Sequence, residues 1–427
     1  MVGKASLIVV MGFGSILGYI ALNLNRSATN AVGNMSTYYE ATASHNIALA
    51  GANVGLAKFY TDTTWFGTIS QNLSSTMGGS FTVTNTDIGG NKVRLRSIST
   101  YVIPPPNAET LRDTVEVYFD KTRYNSFSMF AWMTQFEGNV FWITGDTVWG
   151  RIHSNGNLHV NGRPTFYEKV TTSKAFNPKP GTGTNKAIFK KGYETGVAPI
   201  DFPDDLTAVI DASTSGGVRY TERIFVDLVP GTSANNDGIA VIRRTPSDPS
   251  PDTIALSNPA FNGVILSTDT VRVKGTLDGR LTIASLRDLY IDDNVRYEQN
   301  PRTIPNSDDL LGLVAEKNII VATNPANNTH CEIDACVFSR DGSFVAEKYN
   351  TRPVSGELRF YGSIVQDTRG PVGTFSGSNI ISGFSKRYRY DDRLSNPAFR
   401  PPYYPGFYVK TYAITNWWES FRVPEIR

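Results

Sequence analysis

Acidic side chains are the first candidates for chemistry in this chain. Asp292 and Asp293 in "YIDDN", Asp334 in "CEIDAC" and Asp341 in "RDGSF" would, if one groove gathered them, supply paired carboxylates for acid/base work on a glycoside or oxygen ligands for calcium. Aspartate is commoner as a turn residue that accepts backbone amides, and that is the expectation for these four. The histidines are scattered: His45 lies near the start of the chain, His153 and His159 flank "SNGNL", and His330 adjoins Cys331. His330, Cys331 and Cys336 would offer zinc three soft ligands, but no fourth is in view and the spacing is not that of a zinc finger. The chain has only two cysteines, Cys331 and Cys336, which are the candidates for a disulfide. A straight strand would put them on opposite faces and count against the bond. No Ser/His/Asp order, phosphate loop or nucleophile elbow is present, and "GFGSILG" departs from the dinucleotide fingerprint in spacing and context. No metal, cofactor or catalytic residue is expected. "SKRYRY" (385–390) could stack and neutralise a single nucleic-acid strand, yet as a strand with Arg and Tyr on alternate faces it needs no ligand. A net charge of +2 with both signs interspersed gives no field to attract a polyanion.

Any such site must be positioned by the elements around it, and these fall into three parts. From Ala5 to Asn25 no side chain is charged, which is enough residues at about 1.5 Å rise each to cross a bilayer core of about 30 Å. A cleavable signal ending near "SATNA" is one alternative. Against it, the stretch from Asn25 to Tyr60 holds no proline, few charges and many small residues, so the expectation is one helix over 1–60, roughly 80 Å long. With so few charges to solvate it, this helix needs neighbours. Gly14 and Gly18, with Gly12 beside them, form a small-xxx-small surface for another helix, and Val32, Met35, Tyr39, Ile47 and Val54 share a helical stripe.

Residues 61–125 alternate apolar and polar side chains in runs separated by Asp87–Asn91 and "IPPPNAE", the pattern of an antiparallel meander. Beyond residue 126 very short apolar runs recur, among them Val264–Leu266, Val271–Val273, Leu281–Ile283 and Leu289–Ile291, with Gly, Asn or Asp between them. Such spacing fits a sandwich or a solenoid, and the uniformly aliphatic runs without hairpin signals favour a parallel β-helix. Residues 174–260 look like a loop-rich insertion, and 390–427 like a Tyr/Pro-rich tail. The fold class expected is therefore α+β, mainly β.

The opening "GKASLIVVMGFGSILGYIALNLNR", running without a break into "ATASHNIALAGANVGLAKFY", resembles the assembly helix of type IV pilins and pseudopilins, in particular the amino-terminal segment of PilX-type minor pilins. The resemblance implies cleavage after Gly3, leaving Lys4 as the new amino terminus, and a helix held in the inner membrane before it joins a filament core. Most pilins carry a glutamate five residues into the mature chain. Here that position is Ile8, and no acid precedes Glu40, so docking through that charge pair is not implied. The body, with "DGSF" at 341–344 and "RGPVGTFSG" at 369–377, is similar to a bacterial surface-associated domain of unknown function found behind such helices. Together the resemblances imply a minor or major pilin-like subunit, partnered by copies of itself or other pilins, that displays a structural or adhesive body with a surface ligand or glycan as its outside partner. A membrane-tethered β-helix enzyme or binding protein acting on carbohydrate is the competing class.

Overall fold

The computed structural model describes residues 2–105, 109–232, 237–376, 379–396 and 399–420, without the side chains of residues 2–5, 123, 410 and 411. The chain divides into two compact units. The first comprises residues 1–123 and 409–427, and the second residues 124–408. The tail that the sequence assigns to the body is thus shared, its last part grouping with the helix and meander.

In the first unit helix α1 spans Val2–Thr61 without interruption, about 90 Å of helix. It stops where Asp62 accepts the Thr64 amide (3.2 Å) and hydroxyl (2.7 Å), an Asx turn that competes with further helix. Four strands follow in the expected meander, β1 (Thr68–Asn72), β2 (Gly79–Gly89), β3 (Lys92–Val102), and, beyond a short β4 (Thr110–Leu111), β5 (Thr114–Ser126). β1, β2, β3 and β5 are antiparallel neighbours, and the strand Gly406–Ser420 completes the sheet beside β5. The β2–β3 turn uses Gly89, Gly90 and Asn91 at positive φ (78°, 56° and 66°), as a tight reversal requires. The second expected turn includes residues 106–108, which lie outside the described residues. Alternate residues of β2 and β3 are buried, and this apolar face receives Ile47, Ala48, Ala52 and Phe59 of α1.

The second unit is built on one long parallel ladder. Val218–Tyr220, Val264–Ser267, Arg280–Ser285, Leu310–Ala315, Cys331–Ser339 and Val354–Thr368 stack in that order, each parallel to the next. Strands two apart in sequence are neighbours, and the same ladder position returns after 18 residues (Val264 to Thr282) or 30 (Thr282 to Gly312). The predicted apolar runs at 264–266, 271–273, 281–283 and 289–291 all lie in strands. Sheets are nevertheless mixed, with antiparallel pairs linking Ile224–Val229 to Ile239–Arg243 and Gly373–Ser376 to Asn379–Arg389.

The order of the ladder is not the order of the chain. Trp132–Phe136 pairs with the last of those strands, Ile364 facing Trp132, and Ile152–Ser154, Val170–Thr172 and Tyr193–Thr195 continue outward from it. Both ends of the ladder therefore come from mid-chain, at 193–195 and 218–220. Residues 174–260, read from sequence as a loop-rich insertion, supply those ends together with helix α2 (Thr207–Thr214). The connecting strap is pinned at Ile200, which exchanges hydrogen bonds with the Asn155 side chain (2.7 and 2.9 Å), and at Phe202, which packs on Phe127 and Phe338. The junction between Trp132 and Ile364 is closed by a buried ion pair, Arg369 Nη1 to Glu137 Oε2 at 2.8 Å, with the guanidinium 4.1 Å from the Trp142 ring centre. Strand Leu310–Ala315 is buried on both faces because the chain around Pro401–Tyr404 covers it. Gly312 permits this, since a Cβ there would come about 3.0 Å from Pro401 and 3.1 Å from Tyr404.

Candidate functional site

The surface that departs most from ordinary protein chemistry is the first two-thirds of α1. It is the one described helix long and apolar enough to cross a membrane, and its most apolar stretch has nothing of its own chain against it. Leu7, Ile8, Val10, Phe13, Leu17 and Tyr19 are each more than half exposed. Three of its hydroxyls bond back to the helix: Ser15 donates to the Met11 carbonyl (2.9 Å), Thr29 to Asn25 (2.9 Å) and Thr37 to Gly33 (3.0 Å). A helix whose polar groups are satisfied internally can enter lipid or an apolar bundle at little cost.

The predicted assembly residues divide along this helix. Gly12, Gly14 and Gly18 have open space where a side chain would stand, and Val32, Met35 and Tyr39 are 70, 77 and 69 % exposed. Ile47 is fully buried in the chain's own core and is not a surface residue, and Val54 is only partly open. Gly51 and Gly55, further along the helix, face the sheet. A Cβ would come within 2.7 Å of Phe81 at Gly51 and of Val83 at Gly55. The helix returns to its own sheet from about residue 44 onward, where Ser44 meets Ser99 (2.9 Å) and His45 lies between Asp113 (2.8 Å) and Glu419 (3.1 Å). Gly3 and Lys4 lie in the first turn, and their contacts are outside the described residues.

In the second unit the candidate chemical residues are dispersed. Cys331 and Cys336 are both buried and unbridged, standing opposite Leu358 and Ser363 on a regular strand. The disulfide candidate is thereby corrected, for the reason that a straight strand separates them. Burial pushes the Cys331 thiol up to about 12. His330 accepts the Glu357 amide (3.0 Å), and His153 is held by Thr171 (2.8 Å) and Asn155 (2.9 Å), with burial lowering its basicity. Among the described residues no group of His, Cys, Asp or Glu is arranged to hold a metal. Asp292 is taken up by Arg272 (2.8 Å), Asp341 by Lys317 (3.3 Å) and Arg340 (2.6 Å), and Asp293 accepts the Asn294 amide (2.7 Å).

Asp334 lines an open cavity together with Trp149, Arg302, Tyr361 and Arg389, and Asp293 lines a smaller, shallower one beside Asp227 and Lys274. Asp334 accepts the Tyr297 amide (3.1 Å), and burial pushes its carboxyl up to about 6. Sequence reasoning did not single out Trp149, Arg302 or Tyr361. The usable signal was the in-phase alternation of "EID", "RFY" and "RYR", which puts charged and aromatic residues on one face of three strands.

No family model matches the chain, and no curated protein matches it either. A solved structure, the competence-associated pilin ComZ from Thermus thermophilus, aligns over 89 % of this chain and 97 % of its own with 11 % identity and a TM-score of 0.39. A likeness this distant carries no argument.

Proposed function

We propose that the chain is a subunit, major or minor, of a pilin-like extracellular filament. The observation that supports this is the exposed part of α1: an uncharged, largely apolar run that ends at Asn25, with glycines open to a close-packed neighbour, continuous with the half of the helix that packs on the sheet. Burying such a surface contributes roughly 25 cal/mol per Å², which lipid supplies before assembly and neighbouring helices supply afterwards. The subunit waits in the inner membrane, is cleaved between Gly3 and Lys4, and polymerises with copies of itself or with other pilins. The second unit is a parallel β-helix, displayed outside in a structural or adhesive role and free to hold a surface ligand or glycan. It is not an enzyme on this reading. The usual hydrolysis of a glycoside uses two cooperating carboxylates, and in the Asp334 cavity Glu332 and Glu357 are both held in arginine ion pairs.

Negative-stain microscopy of sheared cells with antibody to residues 124–408 tests the reading. Label along fibres or at their tips is the expected result, and label confined to cell envelopes, with mature protein beginning at Met1, would overturn it.

A further inference from the structure

The parallel strands Cys331–Ser339, Val354–Thr368 and Asn379–Arg389 are in register, so Glu332, Arg359 and Arg387 form one cross-strand row, and Asp334, Tyr361 and Arg389 form another on the same face. Ile333, Phe360 and Tyr388, between them, are buried. With Trp149 and the turn carrying Asn300 and Arg302, the two rows line a cavity of about 460 Å³, within the usual range of ligand sites.

The rows differ in how their charges are used. The first is closed: Glu332 takes Arg296 (2.6 Å) and Arg359 (3.1 Å), while Glu357 takes Arg359 (2.9 Å) and Arg387 (3.1 Å). The second is open. Arg389 is exposed, and among the described residues no carboxylate pairs with it or with Arg302. The Tyr361 hydroxyl donates to Asp391 (3.2 Å), fixing its ring, and Arg302 lies 5.1 Å from that ring's centre. Trp149 is 41 % exposed and is steadied from behind by a parallel stack on Tyr167, 5.1 Å between centres and 10° between planes. The lining holds five arginines against Glu332, Asp334 and Glu357, leaving net positive charge where the flat surfaces are.

The geometry points to a binding site for an acidic oligosaccharide, a chain of uronic-acid sugars whose carboxylates pair with Arg302 and Arg389 and one of whose apolar ring faces lies on the exposed Trp149. Free guanidinium forks suit carboxylates, which they bind in a bidentate manner. Positions within a row repeat about every 4.8 Å across the ladder, and the two rows lie two residues apart along the strands. A peptide strand would seek a free sheet edge, and this is the flat of a ladder. Single-stranded nucleic acid needs open aromatic faces in series, but Tyr388 and Tyr390 of "SKRYRY" are buried. The site deepens the display role proposed above, and its test does not pass through assembly.

The test is calorimetric titration of the full chain in detergent micelles with tri-galacturonate, maltotriose, inorganic phosphate and an oligothymidylate. Saturable binding of tri-galacturonate is expected, with at least tenfold weakening in Arg389→Gln and in Trp149→Ala, and equal or tighter binding in Asp334→Asn. Both weakened positions are exposed, and circular dichroism verifies that each variant is folded. No binding of tri-galacturonate, equal binding of maltotriose or phosphate, tighter binding of oligothymidylate, or wild-type affinity in both variants would each overturn the proposal. Gly14→Leu should abolish filaments and leave the titration unchanged, so filaments that persist in this variant with binding intact sink only the filament reading, and loss of tri-galacturonate binding in a chain that still assembles sinks only this one.

Discussion

The two halves of α1 share a composition and have opposite surroundings. Small residues and glycine recur in both, yet Gly51 and Gly55 are pressed against Phe81 and Val83 while Gly12, Gly14, Gly18 and Gly33 face nothing. Ile47 and Phe59 are fully buried, and Met35 is 77 % exposed. A small side chain in a helix therefore marks close approach by some partner without saying whether that partner is the chain's own sheet. The closed half carries the fold, and the open half is the surface proposed for association.

Substitutions can break this contrast. Phe59→Ala should cost about 3–5 kcal/mol in urea unfolding of the first unit, because Phe59 fills the space between Phe119 and Tyr412. Phe13→Ala should leave the same curve in place, and an equal loss at both positions would erase the distinction. Gly55→Val, whose new side chain meets Val83 and Leu95, should destabilise by about 1–3 kcal/mol. His45→Ala should cost about 1 kcal/mol and loosen the end of the last strand, since Glu419 loses the His45 contact and Asp113 is left with the Thr114 amide (2.7 Å) and the Ser420 hydroxyl (2.6 Å). Faster amide exchange at Ser420 would show it. Gly14→Leu should move stability by less than about 0.5 kcal/mol and still abolish filaments on shearing, which sharpens the contrast most.

Much of this was legible in the sequence for physical reasons. An uncharged run without proline can only be helix in lipid or among helices, and aliphatic runs set off by turn residues became ladder strands. The division of the helix was not legible, because Ile47 lies on the stripe of Val32 and Met35 and only β2 and β3, distant in sequence, claim it. Nor was the ladder order, since nothing in "WMTQF" marks it as the partner of "SIVQDT". Of the cavity, Asp334 and Arg389 stood in motifs that drew notice. Arg302 and Trp149 arrive from loops whose reach only the folded chain determines.

The junction of Trp132 with Ile364 sets a timetable for biogenesis. Glu137 and Arg369, which seal it, are 232 residues apart, so the strands at 132–195 leave the ribosome long before the surface on which they stack exists. Pairing at such separation is slow, and strands with unpaired edges are prone to aggregate. Folding of this chain therefore passes through an interval in which those strands lack their stacking surface, a delay that a ladder wound in chain order would not impose.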